Sequence, residues 1–473
     1  MTAVERLANF AVEASYDDLS AAARDQLKMR VLDSLGCAVG AMNGEPIQLL
    51  REHVQEFDRD GRCTLIGGGR ADPDRATFYN GALVRYLDYN DSYLAKGETC
   101  HPSDNLSAVL SASEYAGGHG RDAMTALAVA YQVQCRLCDE APVRARGFDH
   151  TTQGAYAAAA GACRALGLDA NATANAVAIS GTAFNALRVT RTGVLSHWKG
   201  LAYPNTAAGC IRATLLARRG ITGPLEVFEG NKGFMDSIAG CFQIDWERED
   251  LERVTRTVIK RHNAEIHAQT AIDAALALRQ HFQFTGSDVD RIDVDTFDVA
   301  YKIIGGGEEG DKRIVSSKEQ ADHSLPYLIA VAILDGEVTP LQFAIDRIER
   351  PDVQRLMCRI SVHSTSTYSH RFPNEMPARV AIRLRDGRTL SREATAYPGL
   401  PVTWEVVLQK FNQLGSNRLS RAQRDAIVDV VQDLEHHPVS DLTRLLASVD
   451  ASGDRAPSGG ARMDEESCHA SHT

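Results

Sequence analysis

Apolar residues recur at helical spacing through roughly the first half of the chain. Leu27, Val31, Leu35 and Val39 repeat every four residues after the acidic pair Asp17-Asp18, which predicts one buried helix face. Asp72-Pro73 opens a second long helix, with Phe78, Ala82, Tyr86 and Tyr89 on a shared face. A third starts at Ser103 and runs through Tyr115 to Gly117-Gly118, and a fourth covers Arg121 to Cys138. The stretches QGAYAAAAGACRALGL and NATANAVAISGTA predict two small-residue helices that approach neighbours closely, separated by Gly167 and a cap at Asp169 or Asn171. No fixed repeat period is present beyond the helix-turn-helix rhythm.

The pattern changes after Trp246. TRTVIK (255–260), DRIDVDTF (290–297) and RISV (359–362) are β-rich. Arg379 to Leu384 alternates Val380, Ile382 and Leu384 with Ala381 and Arg383, and Asp386-Gly387 then supplies a two-residue hairpin turn into 388–395. Helices are expected at His267 to His281 and Ser324 to Leu334. These features predict a separate α+β domain over about 250–400. Past a break at Gly399 and Pro401, helical periodicity resumes from Thr403 to Leu446, while 451–473 has almost no apolar residues and is expected to be a disordered tail, making His469 and His472 poor ligand candidates.

With 473 residues, 44% of them apolar, the chain can bury two or three cores. The net charge of −11 and the lack of a Lys/Arg run speak against nucleic acid. The N-terminus mixes charges into an amphipathic pattern, and no apolar run is long enough to span a membrane, so a cytoplasmic protein is expected. Ten cysteines are scattered, with one CxxC at Cys135 and Cys138. No second pair stands nearby, so these read as structural thiols, and nothing in the spacing suggests an iron-sulfur cluster.

Polar islands interrupt the apolar background. The densest is Tyr86 to Asn105, YLDYNDSYLAKGETCHPSDN, which reads either as a site of chemistry or as a helix end, a loop and the N-cap of the next helix at Ser103 and Asp104. Others hold Arg144, Arg146 and His150; Arg188, Arg191, His197 and Lys199; Glu265, His267 and Gln269; and His323 with Tyr327. Singly, each histidine reads as a capped or surface residue; together they suit a pocket for a polycarboxylate, since every desolvated carboxylate needs a cation or several donors. There is no HxH, HExxH or dense carboxylate cluster for a metal, no GxGxxG at Gly67–Gly69 or Gly305–Gly307, and no GxSxG. What remains is acid/base chemistry by histidine without a metal or cofactor.

In these islands the sequence resembles the MmgE/PrpD superfamily of cofactor-independent 2-methylcitrate dehydratases and cis-aconitate decarboxylases. The likeness runs from about Val4 to Leu446 through FYNGALVRYLDYNDSYL, HPSDN, HTTQGAYAAAA, SHWKGLAYPNTAAGC, AEIHAQTAIDAA and HSLPYLIAVAILDG. It implies a mainly α fold: a large all-helical domain (1–249, rejoined by 401–450) with an inserted α+β lid domain (250–400), working as a homodimer with the site between domain and lid. It marks Asp88, Ser92, His101, His150, Lys199 and His267 as site residues, with His101 the first choice of general acid/base and Lys199 an anchor for a carboxylate. Arg188, Arg191, His323 and Tyr327 are expected to bind substrate; for the family's lid tyrosine, Tyr301 and Tyr327 both stand. Asp88 and Ser92 would face one pocket if the helix continued past Tyr86. The loop between Asp88 and His101 and the AEIHAQT motif are dehydratase-like, whereas Asn263 replaces a usual proline and Cys100 precedes His101. The expected activity is dehydration of 2-methylcitrate; a cis-aconitate decarboxylase, an epimerase and a non-enzymatic scaffold are the alternatives.

Overall fold

The computed structural model describes residues 1–57, 60–397 and 400–451; Gly399 and nearly all of the expected tail, with Cys468, His469 and His472, lie outside these. The chain is mostly helical with small sheets. Helix Ala21–Gly40 starts where the Ser20 hydroxyl accepts from the Ala23 N–H, and buries Leu27, Val31, Leu35 and Val39. Helices Gly120–Glu140, Thr151–Ala165, Ala170–Ala183 and Trp198–Ala217 pack through small residues. At Gly154 a Cβ would lie 2.3 Å from the Tyr203 ring, so only glycine lets those two helices meet there.

Buried apolar side chains form two main clusters. The first unites the helices up to Trp198–Ala217 with Trp404–Gly415, Arg421–Gln432 and Val439–Ala447. The second, from Ala264 to Leu390, surrounds a four-stranded sheet in the order Ile360–Ser364, Val289–Thr296, Ala378–Leu384, Thr389–Ala394, the first pair parallel and the others antiparallel. Leu251, Val254 and Ile259 join the first cluster, so the change of core comes after Ile259 rather than at 250.

Three local expectations are corrected. The β-branched stretch 255–260 is not a strand: Thr255 and Arg256 are exposed and end the 3₁₀ turn Arg253–Arg256, and apart from one antiparallel bridge between Val258 and Ser92, 257–260 is a buried strap whose Thr257 receives the Arg30 guanidinium on both its hydroxyl (2.8 Å) and its carbonyl (2.7 Å). Helix Pro73–Tyr86 does not reach Tyr89; Asp88 takes φ +55°, which ends the helix and removes the i,i+4 relation to Ser92. Ser103 and Asp104 do not cap a helix. They lie in the short turn Pro102–Asn105 ahead of helix Leu106–Ala116, and their side chains bond to Asp91 and Asn90.

Between these elements the hairpin Tyr93–Leu94/Thr99–Cys100 delivers His101. Behind it Cys100, Cys135 and Cys138 are packed together, fully buried, with burial raising all three thiols above their ordinary range. The helix after the sheet is tied to the first by a buried ion pair, Lys410 Nζ to Asp33 Oδ1 at 2.7 Å, and the same ammonium donates to the Tyr89 carbonyl at 2.6 Å.

Replacing Lys410 with Met strands the Asp33 carboxylate, and losing one partner of a buried pair costs about 3–5 kcal/mol. Urea unfolding of Lys410→Met is expected to show a loss of that size, with partial recovery in Lys410→Met/Asp33→Asn; a change below about 1 kcal/mol would mean that the pair carries no stability.

Candidate active site

Asp88 sits where several cations converge. Its Oδ1 accepts from Arg85 Nη1 (2.5 Å) and Lys260 Nζ (2.8 Å), and its Oδ2 lies 3.6 Å from Lys199 Nζ and 3.4 Å from His323 Nδ1. Burial would raise this carboxyl, but Arg85, Lys260, Lys199 and His323 hold it well below the usual range. Lys199 is also bonded to Asp322, which pairs with Lys318 at 2.8 Å and with His323 Nδ1 at 2.8 Å. Burial brings Lys199 down to about 8 against the pull of Asp322 and Asp88. Ligand atoms of Asp88, Asp322 and His323 lie within 4.8 Å of one another, a grouping that no sequence spacing announces. Arg85, Lys199, Lys260 and Lys318 already balance its charge.

His101 stands at the end of the hairpin. Its Nδ1 is 2.7 Å from the Asp91 carbonyl and 3.1 Å from Ser92 Oγ. A carbonyl only accepts, so Nδ1 carries the proton and Nε2 offers a lone pair. Burial, then Arg85 and Lys260, push the imidazole well below its ordinary value, which keeps it neutral. Asp91 is itself fixed: Oδ1 accepts from the Ser103 hydroxyl (2.6 Å) and Oδ2 from Tyr131 (2.8 Å). The His150 ring stands edge-on to His101, centroids 5.3 Å apart. Arg191 can only donate, so its contact at 3.3 Å makes His150 Nε2 the acceptor and leaves an Nδ1–H without a partner. Burial lowers His150 to about 3 and His323 to about 4.

Arg85, Thr99, His101, Arg144, His150, Arg188 and Arg191 from the helical side, with Glu265, Ile303 and His323 from the sheet side, line one cavity of about 30 Å³. Asp149 accepts from Arg191 Nε (3.0 Å) and Arg188 Nη1 (3.3 Å); burial would raise it, but these arginines and His150 keep it well below its normal range. Of the expected site residues, His101, His150, Arg188, Arg191 and His323 line this cavity, Ser92 and Asp88 contact its lining, and Lys199 stands one step further back against Asp88 and Asp322. His267 stands behind it: its Nδ1 bonds Glu265 at 2.7 Å, and its ring packs against the stacked pair Phe297 and Phe372, 5.6 Å from each. Tyr327 is misplaced by the sequence reading, because its hydroxyl is spent on the Gln342 carbonyl within the second core. Tyr301 lines a different groove, beside Gly305–Gly307 and Arg313. A buried, unpartnered tyrosine hydroxyl belongs instead to Tyr397, close enough to Glu265 to feel its charge. Arg85 and Lys260 were also missed; the i,i+3 spacing of Arg85 and Asp88 was the available signal.

Two family descriptions fit the chain, MmgE/PrpD N-terminal domain over residues 5–247 and MmgE/PrpD C-terminal domain over residues 262–435. The chain belongs to the MmgE/PrpD family. Among relatives, it is 27% identical to 2-methylcitrate dehydratase of Cupriavidus necator and 24% to that of Salmonella typhimurium, each match covering 91% of this chain and 94% of the relative. It is 25% identical to cis-aconitate decarboxylase of Mus musculus, over 89% of this chain and 88% of the relative. Among the described residues of this MmgE/PrpD protein, no helix is long and apolar enough to cross a membrane.

The buried histidines give a pH signature. Unfolding returns His323 from about 4 to about 6.5, so between these values the unfolded chain binds the extra proton and stability falls as pH drops below 6.5. Each such histidine contributes a slope of at most about 1.4 kcal/mol per pH unit. Chemical denaturation of His323→Asn between pH 6.5 and 5 is expected to show a shallower loss than the parent; identical slopes would mean that folded His323 takes up the proton.

Proposed function

We propose that this protein is a lyase of small polycarboxylates that dehydrates 2-methylcitrate to 2-methyl-cis-aconitate. The observation that carries the reading is neutral His101, its Nδ1–H committed to the Asp91 carbonyl and its Nε2 free, in a cavity lined by Arg85, Arg144, Arg188 and Arg191. A proton beside a carboxylate is a very weak acid, so the arginines must hold the negative charge that develops when it leaves. His101 Nε2 takes that proton, and the substrate's carboxylates supply the charge that stabilises the resulting imidazolium. The His150 Nδ1–H donates a hydrogen bond to the departing hydroxyl, which takes the proton from the His101 imidazolium and leaves as water, so that both histidines end neutral. The relatives' names and the dehydratase-like Asp88 to His101 loop support this substrate. The α+β portion acts as a lid, and the working form is a cytoplasmic homodimer in this proposal.

The cis-aconitate decarboxylase relative favours a second reading on the same site. There carbon dioxide leaves first and His101 must deliver a proton to carbon. That reaction starts from the imidazolium form, which burial beside Arg85 and Lys260 disfavours.

Incubation with 2-methylcitrate, citrate and cis-aconitate separately, followed by NMR, decides between them. Conversion of 2-methylcitrate to the unsaturated acid is expected, and His101→Asn is expected to lower kcat by about 10²–10⁴-fold with the fold retained. Release of carbon dioxide from cis-aconitate without any dehydration would overturn the proposal, and inertness toward all three would favour an epimerase or a scaffold.

A further inference from the structure

The cavity of about 30 Å³ is far smaller than the roughly 300–1,000 Å³ of ordinary ligand pockets. All four of its guanidiniums already hold carboxylates of the protein, Arg85 that of Asp88. Arg144 is 3.6 Å from Glu98, and Arg191 is held by Asp149. Arg188 is shared between Asp149 and Glu309, the latter at 2.5 Å. Glu98 and Asp149 are built in from the same helical side. Glu98 Oε2 accepts the N–H groups of Val143 (3.2 Å) and Arg144 (2.9 Å), and Asp149 accepts the Thr151 N–H and hydroxyl.

Glu309 is held differently. It reaches Arg188 from the sheet side, on the loop after helix Asp298–Ile304, and its Oε2 is buried without a hydrogen-bond partner. Gly306 and Gly310 flank it at φ +100° and +99°, and a side chain added at Gly310 would meet nothing within 4 Å. Lys312 also attracts this carboxylate, but with one oxygen bonded and no backbone N–H holding it, Glu309 is more easily displaced than Glu98 and Asp149.

We propose that Glu309 is the protein's own stand-in for one substrate carboxylate: it occupies Arg188 until a substrate carboxylate displaces it, and it thereby sets the affinity and selectivity of this subsite. The inference rests on the polycarboxylate reading above. Exchange of one ion pair for another gains little by itself, so a monocarboxylate competes poorly with Glu309. A polycarboxylate gains further contacts at Arg144, His101 and His150 once Arg188 is released, and Glu309 moving out enlarges the cavity.

The test is calorimetric binding of tricarballylate, which has no hydroxyl to lose, and of acetate to the parent, Glu309→Gln, Glu309→Ala and Glu309→Gln/Arg188→Gln. Removing the competing charge-assisted bond is expected to tighten tricarballylate roughly tenfold in both single variants. Acetate should gain by at least as large a factor, narrowing the ratio between the two, and the double variant should lose the gain. Unchanged or weaker tricarballylate binding in Glu309→Gln and Glu309→Ala, or no binding by any of the four proteins, overturns the proposal. If one single variant fails to fold, as judged by its melting transition, the other decides. Turnover of 2-methylcitrate by the parent is read separately: inertness alongside the affinity gain sinks the dehydration reading alone, and turnover without the gain sinks the role of Glu309 alone.

Discussion

The buried Asp88 carboxylate is the constraint on which the rest of the site depends. Arg85, Lys199 and Lys260 come from three stretches far apart in the chain, and without a common anion they would repel one another in a medium that screens charge poorly. Asp88 satisfies them by leaving the helix and turning its backbone to positive φ. That turn throws the chain into the hairpin ending at His101, so the position of this imidazole follows from where the cations are met. Asp322 extends the arrangement by meeting Lys199, Lys318 and His323.

Against that ionic lattice, His101 and His150 are kept neutral by burial and oriented by the groups around them. The Asp91 carbonyl selects the His101 tautomer, and the Asp91 carboxylate is held by Ser103 and Tyr131 with the Arg30 guanidinium 4.0 Å away. Arg30 in turn binds the Thr257 strap, whose neighbour Val258 bridges to Ser92. Position is thus passed from one satisfied polar group to the next, through a core where leaving any of them unpaired is costly.

Much of the architecture was legible because burial leaves a period. The four-residue recurrence from Leu27 to Val39 and the alternation over 379–384 lie where the pattern put them, and the hairpin turns at Asp386-Gly387, though with three residues, Arg385 to Gly387, where two were expected. The 255–260 stretch was misread because β-branched residues suit any confined extended segment, and its hydrogen bonds go to Arg30 and Ser92 instead of to a sheet. Most proposed site residues gather at one cavity, since polar islands in apolar helices have few reasons to exist. The counter-ions were harder to see: Asp322 and Lys260 pair across long sequence separations, and ion pairing leaves no period. The expectation that Tyr327 binds substrate missed for the same reason, because only tertiary contact shows that its hydroxyl is already bonded to the Gln342 carbonyl.

The three thiols behind His101 have a consequence for how the protein can be observed. Cys100, Cys135 and Cys138 are sealed by the hairpin and kept protonated by burial, and a protonated, enclosed thiol is inert toward alkylating reagents. Their modification must wait for the hairpin to open, so its rate counts local opening events next to His101. The chain therefore carries a natural clock for the breathing of this cavity, readable by locating the alkylated cysteines by mass, apart from the exposed Cys241 and Cys358.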